Sequence, residues 1–157
     1  MDSEHERKWR PAILKVIFAC VHNAGRSQMS AALFNKYADT EKARAVSAGT
    51  NPAEQIHPEV VLVMQELGVD LSRVRPQKLT PELTKDANIL VTMGCGDQCF
   101  FVSGLRREDW PLPDPKGKSV DEVRVIRDQI RARVRKMVEE EDLGPHIRQP
   151  ASIGGFQ

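Results

Sequence analysis

Short apolar runs alternate with amphipathic stretches along most of this chain. Residues 13–19 and 88–92 form runs rich in branched side chains, which predict strands buried on both faces of a parallel sheet. Residues 44–47 predict a third, shorter strand. The strands alternate with helical patterns, and this order indicates an α/β fold with a small parallel sheet flanked by helices.

Apolar residues spaced three and four apart predict the helices. One begins after the first strand, a second opens at His57-Pro58, and a short one covers residues 80–87. The last helix follows a capping box formed by Ser119 and Glu122. Residues 93–118 are predicted to be a long irregular connection, a type of segment that is often functional.

The length of 157 residues fits one domain. We assign the domain to residues 12–142, a flexible charged extension to residues 1–11, and a loosely held tail to residues 143–157. No run approaches the roughly 18 apolar residues of a spanning helix, and the first ten residues lack the apolar core of a signal peptide. The sequence therefore predicts a cytoplasmic protein that does not bind membranes.

The charges nearly cancel, with 23 basic and 22 acidic side chains and a formal net charge of +1. This balance argues against nucleic acid as a partner, so an anionic ligand must be held by a local feature. The regular basic row on the last predicted helix is expected to be a solvated face. It consists of Arg124, Arg127, Arg131 and Arg135.

The segment Cys20-Val-His-Asn-Ala-Gly-Arg26-Ser27 lies between the first strand and the first helix. A loop in this position directs successive backbone N–H groups and the positive end of the helix dipole toward one point, which favours an anion. Asn23 and Gly25 tolerate the positive φ such a loop needs, and the fork of Arg26 can bind two oxygens of a tetrahedral anion. The predicted oxyanion-binding residues are Val21, His22, Asn23, Ala24, Gly25 and Arg26.

Cys20 is the candidate nucleophile of this loop. The positive field at the helix start favours its thiolate form, and a hydrogen bond from Ser27 favours it further. The alternative is a buried structural cysteine with an unrelated arginine six residues later. The position between a buried strand and a helix start favours the catalytic interpretation.

The sequence resembles the low-molecular-weight tyrosine phosphatases and the arsenate reductases that share their fold. The loop pattern Cys20-x5-Arg26-Ser27 follows a hydrophobic strand, and three further motifs occur in the family's order: Ser47-Ala-Gly49-Thr, Val91-Thr-Met93 and Asp114-Pro115. The resemblance extends over residues 13–138. It implies three layers, with a four-stranded parallel sheet between helices.

The resemblance implies that Asp114 is the general acid that protonates the leaving oxygen. The alternative for an Asp-Pro pair is a turn initiator. Phosphatases of the family usually carry aromatic residues just after this aspartate, whereas Pro115, Lys116 and Gly117 follow here. A site without that aromatic wall suits a small inorganic anion better than an aryl ester, which favours arsenate.

The remaining cysteines, Cys95 and Cys99, lie in a glycine-containing segment after the third predicted strand. Three interpretations are open for them: a redox pair, half of a zinc site, or structural thiols. Zinc needs two more ligands, and the four histidines lack suitable spacing, so we predict no metal site. Because reduction of arsenate needs two electrons, a redox relay through Cys20, Cys95 and Cys99 is the favoured interpretation.

The resemblance implies an external reductant and no bound cofactor. Thioredoxin is one candidate, and a low-molecular-weight thiol such as mycothiol, used with mycoredoxin, is the other. In the second case Cys95 and Cys99 are dispensable. The favoured function is arsenate reduction for arsenic detoxification; the alternatives are a tyrosine phosphatase and a non-catalytic oxyanion sensor.

Some thioredoxin-coupled relatives bind potassium beside the loop. Asn23 and Ser47 match two of the ligands, but Ala31 stands where a glutamate is expected. Lys78 lies near the place of an aspartate ligand. We therefore expect no potassium site, with the Lys78 ammonium replacing the cation.

Overall fold

The structure, a computed structural model, describes residues 13–94 and 104–145. Strands and helices alternate, and the last helix is the longest. No helix in these two ranges is long and apolar enough to cross a membrane. The elements are β1 (Leu14–Cys20), α1 (Arg26–Tyr37), β2 (Ala43–Gly49), α2 (Pro58–Gln65), α3 (Pro81–Thr84), β3 (Ile89–Thr92), β4 (Arg106–Asp109) and α4 (Val120–Glu140).

The four strands form one parallel sheet in the order β2-β1-β3-β4. β1 lies between two neighbours, and its last five residues are buried, as its uninterrupted apolar run predicts. β2 continues to Gly49, two residues beyond the predicted strand. The predicted class, a four-stranded parallel sheet flanked by helices, is confirmed.

Alternate residues of β1 face two separate cores. Val16 and Phe18 pack in the larger core, which also contains the buried sides of α1, α2 and α4. Ile17 and Ala19 face the smaller core on the other side, where Leu83 of α3 packs. The molecule thus has the three predicted layers. Cys20 is the last residue of β1, one of the two central strands of the sheet.

β4 lies within the segment predicted to be an irregular connection. Its residues, Arg106–Asp109, pair only with β3, so β4 is an edge strand of the sheet. Three of its four residues are exposed and all four are charged. Charged side chains are common on edge strands because they discourage pairing with other chains, and they remove the apolar signal from the sequence.

The packed domain extends past residue 142, where the predicted tail begins. Leu143 is buried, and its carbonyl accepts a hydrogen bond from the N–H of Asp39. The carbonyl of Gly144 accepts one from the Lys42 ammonium. The boundary therefore lies at least two residues later than predicted. The predicted extension at residues 1–11 lies outside the described residues.

The basic row of α4 is only in part the solvated face that its spacing indicated: Arg135 is exposed, whereas the other three are not. Arg127 is buried and donates to the carbonyl of Val63 at 2.8 Å and to Glu66 at 2.7 Å. Arg124 also binds Glu66, and Arg131 donates to the hydroxyl of Tyr37. Hydrogen bonds from Arg124 and Arg127 lower the pKa of Glu66 to about 2. These arginines hold α4 against α2 and α1, since a guanidinium can bind several acceptors at once.

Candidate active site

The carboxyl ends of β1, β2 and β3 lie at one edge of the sheet. β1 ends at Cys20, β2 ends at Gly49, and β3 ends at Thr92. Cys20 pairs with Gly49 in the register of the sheet, and Ala19 pairs with Thr92. The loop that follows Cys20 therefore meets the turn after β2 and the start of the segment after β3, which is where α/β sheets bind ligands.

The carbonyl groups of the loop point away from its centre. Each of the six carbonyls from residue 20 to residue 25 accepts a hydrogen bond from a group outside the cradle. Their donors are the backbone N–H groups of Thr50, Asn51, Ala53, His57 and Met29 and the side-chain amide of Gln28. Within residues 13–94 and 104–145, no N–H from Val21 to Arg26 donates to a protein acceptor. These N–H groups remain available to an anion, as the predicted cradle requires.

Asn23 and Gly25 serve the loop in different ways. Asn23 has φ of 52°, the left-handed conformation that asparagine tolerates. Gly25 has φ of −146°, so the expectation of a positive φ was wrong at this residue. A Cβ on Gly25 would lie 2.5 Å from Cγ of Pro115. Glycine is needed here because Pro115 packs directly on the loop.

Cys20 is 2% exposed and lies at the base of the loop. Its Sγ is 2.8 Å from Oγ of Ser27, the second residue of α1. Asn23 donates to the same hydroxyl oxygen at 2.7 Å. The predicted contact between Ser27 and the candidate nucleophile is therefore present, and Asn23 supports it.

Arg26 occupies the first position of α1 and is 8% exposed. One nitrogen of its guanidinium donates to the carbonyl of Leu112 at 3.1 Å, and another lies 3.6 Å from Oδ2 of Asp114. A Cβ on Gly94 would lie 2.4 Å from Nη1 of the same guanidinium. The Arg26 side chain is thus held between the segment that contains Leu112 and Asp114 on one side and the backbone of Gly94 on the other.

Asp114 is 88 positions from Arg26 in the chain, and the fold brings the two side chains together. Its other oxygen, Oδ1, accepts the N–H of Lys116 at 3.0 Å. The side chain of Asp114 is 45% exposed, so it can exchange protons with water. Asp114 therefore caps a turn, and its other oxygen lies beside Arg26; its role as general acid stays a prediction.

His57 lies beside the same mouth. Its backbone N–H donates to the carbonyl of Ala24, and its ring lies against Gly25. Burial lowers the pKa of His57, although the carboxylate of Asp114 acts in the opposite direction. The imidazole is therefore neutral at pH 7. The sequence indicated only that a helix opens at His57-Pro58; the His57 side chain makes no capping hydrogen bond at the start of α2.

The Lys78 ammonium donates to the carbonyl of Thr50 at 3.0 Å. The side-chain oxygen of Asn23 accepts the backbone N–H of Gln77, and the backbone carbonyl of Ser47 accepts the Gln77 side-chain amide. The Gln77 N–H thus occupies the Asn23 oxygen that a cation would use, and replacement of the cation by Lys78 stays a prediction. Among the described residues there is no cluster of side chains that could hold a metal ion.

Cys95 and Cys99 lie outside the described residues. The backbone of Gly94, which precedes Cys95 in the chain, passes so close to Arg26 that a Cβ would meet its guanidinium. The sequence indicated no role for Gly94 and marked Gly49 only as part of a family motif. A Cβ on Gly49 would lie 2.6 Å from the carbonyl oxygen of Val21. Close backbone approach is a usual reason for glycine at the end of a strand, and that was the signal available.

The site combines a buried cysteine at the base of the loop, an arginine at the helix start and an aspartate beside that arginine. This combination defines a class of cysteine-dependent enzymes that act on tetrahedral oxyanions. The family model described as low molecular weight phosphotyrosine protein phosphatase matches residues 15–144. The chain belongs to this family, as its motifs predicted.

Several relatives are arsenate reductases. A putative arsenate reductase of Halobacterium salinarum is 39% identical over 131 residues, which cover 78% of this chain and 89% of that protein. A glutaredoxin arsenate reductase of Synechocystis is 31% identical over 79% of this chain and 95% of that protein. Among solved structures, a thioredoxin-dependent arsenate reductase of Corynebacterium glutamicum superposes with a TM-score of 0.73 and 36% identity. The match covers 88% of this chain and 66% of that one.

Proposed function

We propose that this protein is an arsenate reductase in which Cys20 is the nucleophile. The observation that carries the proposal is the position of the Cys20 thiol, which is buried against Ser27 at the base of a loop whose six carbonyls face outward. The chain is also similar to arsenate reductases over most of its length. The loop N–H groups and Arg26 neutralise the tetrahedral anion. Their fixed dipoles stabilise the charge that develops on its oxygens during attack.

In the first step the Cys20 thiolate attacks arsenic(V). Asp114 donates a proton to the oxygen that leaves, which departs as water, and a sulfur–arsenic bond forms. Asp114 is suited to this step because it lies beside Arg26, which binds the anion, and is open to solvent for reprotonation. His57 lies next to the same mouth, and its neutral form adds no second positive charge there. A second positive charge would favour the ionised form of Asp114, which has no proton to donate.

Asp114→Asn is expected to lower kcat/KM for arsenate about tenfold to a hundredfold, because the amide keeps the shape of the side chain and cannot donate an acidic proton. Steady-state arsenite formation measures the loss. Asp121→Asn, an exposed carboxylate on α4, is the matched control and should retain parental activity. An Asp114→Asn rate equal to that of the parent would exclude Asp114 as the general acid.

The second half of the reaction supplies two electrons. The Cys95 thiol attacks Sγ of Cys20, and the electron pair of the sulfur–arsenic bond passes to arsenic, which leaves as arsenite. The product is a Cys20–Cys95 disulfide. Cys99 then attacks Cys95, which releases the Cys20 thiolate and leaves a Cys95–Cys99 disulfide for an external dithiol. The contact of Gly94 with Arg26 supports this relay, since the segment that carries both cysteines begins beside the anion loop.

The reductant is an external thiol, and we propose thioredoxin in preference to mycothiol. The similarity to a thioredoxin-dependent enzyme and the presence of two further cysteines both favour a dithiol partner. With mycothiol, the small thiol attacks arsenic in the adduct and frees Cys20, and mycoredoxin completes the reduction. We expect the enzyme to work in the cytoplasm, where these thiols are kept reduced.

Arsenite formation with each reductant supplied separately tests the function. We expect turnover with thioredoxin, and a loss of at least about a hundredfold in Cys95→Ser and Cys99→Ser, because each removes one sulfur of the relay. Full activity of both variants with mycothiol and mycoredoxin would overturn the relay and leave the reductase function intact. If no arsenite forms with thioredoxin and none forms with mycothiol and mycoredoxin, the reductase function itself is overturned.

Phosphatase activity is the second candidate, because the family is named for it and Cys20, Arg26 and Asp114 suffice for phosphoryl transfer and hydrolysis. Rapid hydrolysis of an aryl phosphate without arsenite formation would favour it. A non-catalytic sensor is disfavoured, since binding alone does not require a carboxyl group beside Arg26.

A further inference from the structure

Gln28 is a buried polar residue in the first turn of α1, and its side chain takes no direct part in the chemistry described above. Its amide turns back toward the loop instead of following the helix. Nε2 donates to the backbone carbonyl of Asn23 at 3.1 Å and to the side-chain oxygen of the same residue at 3.0 Å. Both oxygens of Asn23 are thus held by one neutral donor group.

The orientation of the Asn23 amide is fixed by its neighbours. A backbone N–H can only donate, and that of Gln77 points at one end of the amide at 2.8 Å, so that end is the oxygen. The other end, Nδ2, therefore faces Ser27 and donates to its hydroxyl at 2.7 Å. A backbone carbonyl can only accept, so the Gln28 amide nitrogen is assigned by the same reasoning.

The direction of the next hydrogen bond follows. An ionised Cys20 sulfur can only accept, so the Ser27 hydroxyl, whose oxygen accepts from Asn23, donates its hydrogen to Sγ, 2.8 Å away. A donor toward a thiolate stabilises its charge, whereas an acceptor would destabilise it. Donors in a chain polarise one another, so the bonds to Asn23 strengthen the bond that reaches sulfur.

We propose that Gln28 is a positioning residue for Cys20. Its two hydrogen bonds hold Asn23 in the left-handed conformation with Nδ2 toward Ser27, and Ser27 in turn donates to the thiolate. Without Gln28 the Asn23 side-chain oxygen keeps only the N–H of Gln77, so the amide is held less firmly and the Ser27 hydrogen can turn from sulfur toward the amide oxygen. The thiolate then loses its donor although no atom that touches it has been replaced. This inference rests on the proposed nucleophilic role of Cys20.

The alternative is that Gln28 only fills space and satisfies two buried acceptors. That role would stabilise the fold and leave the reactivity of Cys20 unchanged. The two roles separate in the pH profile of Cys20 alkylation. In a Cys95→Ser, Cys99→Ser background Cys20 is the chain's only thiol, so its alkylation by iodoacetamide can be followed without arsenate or reductant.

In that background, Gln28→Met removes the donor at similar volume, and Gln28→Leu removes it with a shorter branched side chain. We expect the midpoint of the pH profile to rise by about one pH unit in Gln28→Met, a tenfold smaller thiolate fraction below the midpoint. The rise should be similar in Gln28→Leu. Gln129→Met, on the exposed side of α4, is the matched control and should keep the parental midpoint.

An unchanged midpoint in Gln28→Met or Gln28→Leu, with or without a lower melting temperature, would overturn the proposal and assign Gln28 to packing. If the methionine variant does not fold, the leucine variant alone decides, since it also lacks the donor. The result does not depend on arsenate reduction. Failure of the reductase function would appear instead as normal alkylation of the parent without arsenite formation.

Discussion

Cys20→Ser should lower arsenite formation by about 10⁴-fold or more, to the level of the solution without enzyme. A serine hydroxyl is far less acidic than a thiol and attacks arsenic slowly. Any oxygen–arsenic adduct is also a dead end, because the next step requires a thiol to attack sulfur and leave the electron pair on arsenic. Steady-state arsenite formation with thioredoxin measures the loss.

The same variant should still bind an oxyanion, since the cradle of Val21–Arg26 N–H groups and the Arg26 guanidinium are unchanged. Phosphate serves as the probe: it should raise the melting temperature of Cys20→Ser as it raises that of the parent. Anion binding without turnover would assign Cys20 to the chemistry alone. Residual activity above about one per cent of the parent would contradict the mechanism, because electrons would then reach arsenic by a route without Cys20.

Features that depend on neighbouring residues were predicted from the sequence. Residues 16–19 of β1 are an apolar run, and Cys20 follows them directly as the last residue of the strand, so the position of the nucleophile at a sheet edge was a local inference. The same holds for α4, whose capping box is present with both of its hydrogen bonds. The order of strands and helices then indicated the fold class.

Features that depend on distant contacts were not predictable in this way. β4 carries four charged residues because it lies at the edge of the sheet, and an edge position leaves no apolar period to detect. Arg127 is buried because Val63 and Glu66 on another helix accept its hydrogen bonds. Neither partner is visible from the spacing of arginines along α4.

The candidate site also combines features that depend on neighbouring residues with features that depend on distant contacts. Cys20, Arg26 and Ser27 form one continuous segment, so their proximity was predictable. The pairing of Arg26 with Asp114 came only through resemblance to a family, because the two residues are 88 positions apart in the chain. The donors that turn the loop carbonyls outward belong mostly to residues 50–57, where the sequence indicated only a turn and a helix start.

Gly94 is the distant contact with the largest expected consequence. It has φ of 97°, and a Cβ there would lie 2.4 Å from Nη1 of Arg26. In Gly94→Ala the guanidinium is the flexible partner and moves away from the new methyl group. We therefore expect the fold to persist and kcat/KM for arsenate to fall about 10²- to 10³-fold, since a displaced guanidinium no longer meets the transition state.

Gly68→Ala is the matched control for this substitution. Gly68 has φ of 78° just after α2, and a Cβ added to it would have nothing within 4 Å. Alanine suffers similar backbone strain at both sites, about 1–2 kcal/mol, so both variants should melt at a similarly lowered temperature. Only Gly94→Ala should lose activity. Equal activities in the two variants would show that Arg26 does not depend on the space Gly94 leaves, and its position would then be set by Leu112 and Asp114 alone.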